Sequence, residues 1–263
     1  MLLNILLKNK YFVKPPLIEL NGYEYYFDQC KSYSHYNYIK PGLSSYIKSQ
    51  HFEACLKICK EYFNDYNVID FGCADGPFLP SLSKYFNQVL AIDLDPIRIN
   101  FASILCKKLN LKNVDLICNK EMNLDELKLN MFLDYHILFL LETLEHVGNN
   151  EDLYGSKISF IEELFKLIGK KGIIIISVPK MIGISFFIQR IGFKIIRAHM
   201  DPISTKDFIN ASFFNNTDDL EKRWNGGHLG FNHLKLEKQL NKNFNVLEKR
   251  SLLFNVVYLI KQK

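Results

Sequence analysis

Val68-Ile69-Asp70-Phe71-Gly72-Cys73-Ala74-Asp75-Gly76-Pro77 is the stretch whose reading decides the fold. Val68 to Phe71 reads as a short buried strand, apolar and β-branched with one acid in it. Gly72 and Gly76 allow a tight turn and a close backbone approach. Pro77 suits the first turn of a helix, where a missing N–H costs nothing. Phe78, Leu79, Leu82 and Phe86 follow at helical spacing. Strand, glycine turn and helix make a nucleotide-cofactor loop. Charge then narrows the ligand. A pyrophosphate wants the bare positive end of a helix, and Asp70 and Asp75 oppose one here. The two acids favour a ligand that carries a sulfonium and an ammonium. The G-x-G-x-x-G spacing of dinucleotide sites is also absent, since Ala74 and Pro77 interrupt it.

Outward from this loop, strands alternate with helices. Val89 to Ile92 is a second strand, and Asp93 closes it about 20 residues past the loop, where a carboxylate can take two ribose hydroxyls. Asp95 is a better helix N-cap than Asp93, and Pro96 opens that helix. Val114–Cys118, Ile137–Leu141 and Ile173–Pro179 read as further strands, the last buried on both faces. A helix runs from Ser45 to about Phe63, and another over 158–168 with Ile158, Ile161, Leu164, Phe165 and Ile168 inward. Near the end, a helix around Leu234–Asn241 precedes Phe244–Lys249 and Leu252–Ile260, an edge hairpin. The expected fold class is α/β, a doubly wound and mostly parallel sheet.

The 263 residues, 48% of them hydrophobic, suffice for a large α/β domain with caps. The net charge of +5 is mild and its basic residues scattered, so nucleic acid is not an expected partner. Six cysteines without a C-x-x-C pair read as buried thiols of a reduced, cytoplasmic protein. Met1 to Leu7 lacks the basic start and the length of a signal sequence, and no apolar run is long enough for a transmembrane helix.

Two stretches read as caps on a domain spanning 45–263. Residues 1–44 hold Tyr11, Phe12, Tyr23, Tyr25, Tyr26, Phe27, Tyr33, Tyr36 and Tyr38, broken by Pro15, Pro16 and Pro41. They form either an aromatic wall over a substrate or packing against the core. The second cap is an insertion at about 180–226. Its first part, 180–197, is apolar with Lys180, Arg190, Lys194 and Arg197 interleaved. It reads as a packed helix pair or as an interfacial helix in peripheral contact with a membrane.

Taken together, Val-Ile-Asp-Phe-Gly-Cys-Ala-Asp-Gly (68–76), Ala-Ile-Asp-Leu-Asp-Pro (91–96), Leu-Glu-Thr-Leu-Glu-His-Val (141–147) and Ile-Ile-Ser-Val-Pro (175–179) resemble the class I S-adenosylmethionine-dependent methyltransferases, over roughly residues 45–262. The resemblance is to the ubiquinone-biosynthesis O-methyltransferase type. It implies a Rossmann-like sheet of seven strands, the last antiparallel. It also implies that Asp70, Gly72, Cys73 and Gly76, with Ala74 and Asp75 between them, line the methionine end of the cofactor. Asp93 would bind the ribose and Leu94 the adenine, with Leu141 beside them. Glu121 and Met122 stand where the family often has an Asp on the adenine amine.

Glu142, Glu145 and His146 sit at i, i+3 and i+4, one face of a helix if a helix starts near 142. Similar clusters bind a divalent ion in the ubiquinone-type enzymes and in the small-RNA terminal 2′-O-methyltransferases, the latter with a further His after the fifth strand. His228 is placed to be that ligand. Glu142, Glu145, His146 and His228 would suit Mg²⁺ or Mn²⁺. Alternatively, His146 packs beneath the site with no ion. His146 and His228 are the expected catalytic bases. The expected activity is methyl transfer from S-adenosylmethionine to an oxygen of a small-molecule, sugar- or lipid-linked acceptor. The alternatives are a metal-dependent RNA 2′-O-methyltransferase, a binding protein for S-adenosylmethionine without catalysis, and, third, a dehydrogenase.

Overall fold

The computed structural model describes residues 9–17, 34–39, 42–129, 131–169, 171–195 and 201–263. Seven strands make one sheet: β1 Val68–Phe71, β2 Val89–Asp93, β3 Val114–Cys118, β4 Ile137–Leu141, β5 Ile173–Pro179, β6 Phe244–Ser251 and β7 Asn255–Gln262. Their order is β3-β2-β1-β4-β5-β7-β6. The first five pair in parallel, and β7 runs antiparallel to both β5 and β6. The helices are α1 Leu43–Ile58, α2 Leu79–Tyr85, α3 Pro96–Leu109, α4 Leu124–Leu129, α5 Leu153–Ile168, α6 Gly183–Ile195, α7 Thr205–Phe213, α8 Asp218–Glu221 and α9 His233–Asn243. A π-helical turn, His35–Ile39, precedes α1.

Strict alternation along each strand divides the core into two layers. Val68, Val89, Ile137, Phe139 and Ile175 face α1, α2 and α3. Ile69, Leu90, Leu138, Leu140 and Ile174 face α5 and α9. Helices therefore cover both faces, as the doubly wound reading requires. The sheet order reverses between β1 and β4, so the carboxyl ends of β1, β2 and β4 border one crevice, where such sheets bind ligands.

Three expectations shift locally. Pro77 stands outside α2, and Pro80 is the proline of its first turn. The helix expected to reach Phe63 stops at Ile58, followed by a single 3₁₀ turn at Lys60–Tyr62. The helix expected over 158–168 begins earlier, at Leu153, because Asp152 caps it by accepting from the Gly155 N–H.

The described part of the N-terminal stretch is tied down by one buried acid. Glu53 on α1 accepts from the N–H groups of Lys10, Tyr11 and Phe12 at 3.1, 2.8 and 2.9 Å. Burial works against its charge, but those three N–H donors and Lys57 hold its pKa below the ordinary carboxylate value. Phe12 stacks on Phe52, Tyr11 meets Phe63 and Tyr85, and Tyr38 meets Phe52. These three rings pack on the core. Tyr23, Tyr25, Tyr26, Phe27 and Tyr33 lie outside the described residues, as does Cys30. The described cysteines are all free thiols, four of the five buried.

Candidate active site

The glycine loop is shaped by what lies against it. Gly72 has φ +82°, and a Cβ there would sit 2.3 Å from Thr143 Oγ1. Its N–H and that of Cys73 both donate to the Ile92 carbonyl, at 2.8 and 2.9 Å, which straps the loop to β2. Ala74 also adopts positive φ (+50°), and its N–H donates to Asp93 Oδ2 at 2.8 Å. Asp93 Oδ1 accepts from Asp95 N–H at 2.9 Å. The Asp93 carboxylate thus joins the loop to the end of β2, and each oxygen keeps a lone pair for a hydroxyl. Asp95 is the N-cap of α3, accepting from Ile97 N–H.

Two buried acceptors flank Asp93 without donors. Asp70 is 3% exposed and its Oδ2 has no hydrogen-bond partner. Burial, then the nearby Asp93 charge, pushes its pKa up to about 7. Asn119, just past β3, is 6% exposed and its Oδ1 also has no partner. Its N–H donates to the Asp93 carbonyl, which fixes it beside Asp93. Orphaned buried acceptors are rare in native proteins and mark places where a ligand's donors belong. An ammonium or sulfonium suits the carboxylate, and an exocyclic amine suits the amide oxygen. The residues present therefore fit S-adenosylmethionine.

Binding of that positively charged end requires Asp70 ionised, so binding should release a proton below pH 7. Affinity for S-adenosylhomocysteine is expected to rise about tenfold between pH 6 and pH 8, and to lose that dependence in Asp70→Asn. Calorimetric titration in buffers of different ionisation enthalpy measures both. A pH-independent affinity in the unaltered chain would exclude this role for Asp70.

The other expected cofactor residues divide. Asp75 faces the N-terminal stretch, its carboxylate accepting from Ser34 N–H at 2.8 Å and Ser34 Oγ at 2.5 Å. Cys73 is buried, with its thiol pushed up by burial and by the surrounding acids. Leu94 is exposed. Leu141 is buried in the core beneath the loop. Glu121 is exposed and Met122 packs on the core, whereas Asn119 next to them carries the orphaned acceptor. Sequence reasoning passed over Asn119, though a polar residue ending an otherwise apolar strand was the available signal.

Beyond β4 the expected helix from 142 does not form. Glu142 takes φ +51°, and a 3₁₀ turn at Leu144–His146 follows. The i, i+3, i+4 register therefore fails for Glu142. Its N–H donates to the Ser177 carbonyl at 2.9 Å and its Oε1 accepts from Ser177 Oγ. Burial and the Glu145 charge push its pKa up to about 8. Glu145, His146 and His228 do converge: one donor atom from each lies within 4.8 Å of the other two. His228 Nδ1 is 3.3 Å and His146 Nε2 3.8 Å from Glu145 Oε1. Glu145 is fully buried, with neither oxygen in a hydrogen bond of good geometry. His146 Nδ1 is 2.5 Å from the Gly226 carbonyl, which only accepts, so the proton of the neutral ring is on Nδ1 and the Nε2 lone pair is free for chemistry. For His228, burial pulls the pKa down, but Glu145 outweighs it and the net shift is upward.

Lys157 on α5 holds this turn from below and was missing from the sequence reading. It is fully buried, and its Nζ donates to the carbonyls of Leu144 (3.0 Å), Glu145 (3.1 Å) and Val147. Trp224 covers it, ring centroid 4.8 Å from Nζ, while the indole N–H donates to the Gly227 carbonyl next to His228. Burial pulls the lysine pKa down to about 8 and Glu145 opposes that; three carbonyl acceptors keep it protonated at neutral pH. Its signal was visible: position 157 falls on the apolar stripe of α5, where a lysine needs a partner.

A family model described as a methyltransferase domain matches residues 45–211. Among solved structures, a SAM-dependent methyltransferase from Aquifex aeolicus superposes with a TM-score of 0.50 at 16% identity, covering 81% of this chain and 91% of that one. The N-methyltransferase NodS from Bradyrhizobium japonicum, in complex with S-adenosyl-L-homocysteine, gives 0.50 at 11% identity over 82% and 87%. The PH0226 protein from Pyrococcus horikoshii gives 0.53 at 12% over 87% and 96%. At these identities the likeness is one of fold. No curated protein sequence matches the chain. The family match spans more than half of the sequence and includes the loop, Asp93, Asn119 and the Glu145–His146 turn, so the chain belongs to the methyltransferase-domain family and is an S-adenosylmethionine-dependent methyltransferase.

Proposed function

We propose that the chain methylates a hydroxyl oxygen of a small-molecule, sugar- or lipid-linked acceptor, and that Glu145, His146 and His228 activate that hydroxyl. The supporting observation is the convergence of two imidazoles on a buried carboxylate beyond β4, at the crevice that holds Asp70 and Asp93. S-adenosylmethionine supplies an electrophilic methyl carbon on sulfur, attacked in line. The chain's part is to hold the acceptor oxygen on that line and keep water out, an effect worth roughly 7–11 kcal/mol in good cases. His146 Nε2 accepts the hydroxyl proton, its ring held by the Gly226 carbonyl. His228 beside Glu145 keeps a positive charge near the oxyanion that forms. In a metal-bound form the same three side chains, both histidines neutral, would instead hold a divalent ion, whose charge in place of the His146 base lowers the pKa of a bound hydroxyl. One carboxylate and two imidazoles favour Mn²⁺ over Mg²⁺, because Mg²⁺ prefers all-oxygen shells.

The test is release of S-adenosylhomocysteine with a panel of hydroxylated acceptors, before and after chelation. His146→Ala and His228→Ala are each expected to cut kcat by about 10²–10⁴. A rate removed by chelation and restored by Mn²⁺ selects the metal-bound form, and a rate unchanged by chelation selects His146 as the base. Full activity in both histidine variants would reject the proposal. The convergence of His228 with Glu145 and His146 also favours a second reading, RNA 2′-O-methylation; turnover with a 3′-terminal RNA and none with small hydroxyls would select it.

A further inference from the structure

Helix α6 has more apolar surface than its own packing uses. Its inner side is complete: Phe186 is fully buried with Ala211 and Leu220, against Met181, Phe208 and Leu229. Yet Ile184, Ile188 and Ile191, at i, i+4 and i+7, form a second stripe that stays 40–61% exposed. Phe187, at helical spacing from both Ile184 and Ile191, meets Phe213 of α7 with ring centroids 5.3 Å apart. Phe213, Ile209 and Phe214 are exposed as well. The exposed faces of the two helices join at that ring contact and make one patch, larger than scattered surface leucines explain.

The charged side chains on α6 itself are both basic, Arg190 and Lys194; Asp201 lies beside Arg190, which donates to its carbonyl at 2.9 Å. The other acids of the cap pair elsewhere: Asp207 with Arg223, Asp219 with Lys206, and Asp218 and Glu221 with Lys235. No described helix is long and apolar enough to cross a membrane. An apolar stripe on a helix whose own charges are basic suits a helix lying in the headgroup layer of an anionic bilayer.

We infer that the α6–α7 face docks on the anionic surface of a lipid bilayer. The inserted cap that carries this face also delivers Gly226 and His228 to the catalytic cluster, so docking sets the site beside the lipid surface. The inference selects the lipid-linked class among the proposed acceptors and rests on that reading.

The full chain is tested by flotation with vesicles of phosphatidylcholine alone and of phosphatidylcholine with phosphatidylglycerol. Partition is expected with the anionic vesicles and is expected to weaken with added salt. The double variant Ile184→Glu/Ile188→Glu should lower it about tenfold or more, and Lys194→Glu, which leaves the apolar stripe intact, should lower it to a smaller extent. No partition by the folded chain, or equal partition by the variants, overturns the inference. So does a concentration-dependent dimer, seen by sedimentation velocity and dissolved by the double variant, because a second copy then covers the stripe. S-adenosylhomocysteine titration on the same samples separates the two levels: intact titration without lipid binding rejects docking alone, and a lost titration rejects the cofactor site.

Discussion

Gly72→Ala is expected to abolish measurable S-adenosylhomocysteine binding and to cost about 2–4 kcal/mol of stability. Two independent penalties add. The residue has φ +82°, which an L side chain adopts only with strain. The added methyl would also lie 2.3 Å from Thr143 Oγ1 and 2.9 Å from Thr143 Cγ2. Neither atom retreats freely, since Thr143 Oγ1 donates to the Leu141 carbonyl at 3.0 Å. The loop would move instead, and with it the N–H groups of 72 and 73 that strap it to Ile92. Asp70 and Asp93 would then no longer face one ligand. The double variant Gly72→Ala/Thr143→Ala should recover part of the stability, because only the Thr143 Cβ at 3.2 Å remains in the way. Urea unfolding of the four proteins in this cycle checks it. An unchanged urea midpoint in Gly72→Ala would mean that the loop accepts a side chain and the close approach is not a requirement.

Lys157→Met is expected to be the most damaging change outside the loop, at about 3–5 kcal/mol. Methionine fills the space but takes the ammonium donor from the carbonyls of Leu144, Glu145 and Val147, of which Leu144 keeps the Val147 N–H. It also removes the cation that offsets the buried Glu145 charge. Lys157→Arg should not rescue, because a planar guanidinium cannot point at three carbonyls that converge on one nitrogen. The functional consequence follows from the turn itself: Glu145 and His146 lie on the segment that the ammonium holds, and Trp224 above it holds the strand of chain next to His228. Mn²⁺ affinity, read by electron paramagnetic resonance in the fraction that stays folded, should fall along with stability. A loss under about 1 kcal/mol would show that the turn keeps its shape without the lysine.

How much of this was legible in the chain follows from range. Strands β1, β2, β4 and β5 were readable because each is a mostly apolar run bounded by turn residues, and burial on both faces demands that pattern; β3 carries Asp115 and is only partly buried. The N-cap role of Asp95 was readable because its partner is two residues away. The register of Glu142 was not. A helix there needed Glu142 in the helical region, and the tertiary pull of Ser177, 35 residues on, set it at φ +51°. Asp75 misled for a similar reason: its charge is real, but its partner is Ser34 in the N-terminal stretch. The aromatic residues near the N-terminus could not be divided between wall and packing by composition; Glu53 settles three of them by pinning residues 10–12 to α1.

The order of the strands, the place of the glycine loop and the sign of the charge around it are legible in the chain. Those depend on hydrophobic period and on residues within a few positions of one another. Long-range packing left Asp70, Asn119 and Glu145 as buried acceptors without donors, and it brought together three of the four expected ligands. Glu145 and His228 are 3.3 Å apart in space. Whether two such side chains converge depends on the packing of the elements between them, and local pattern carries no record of that.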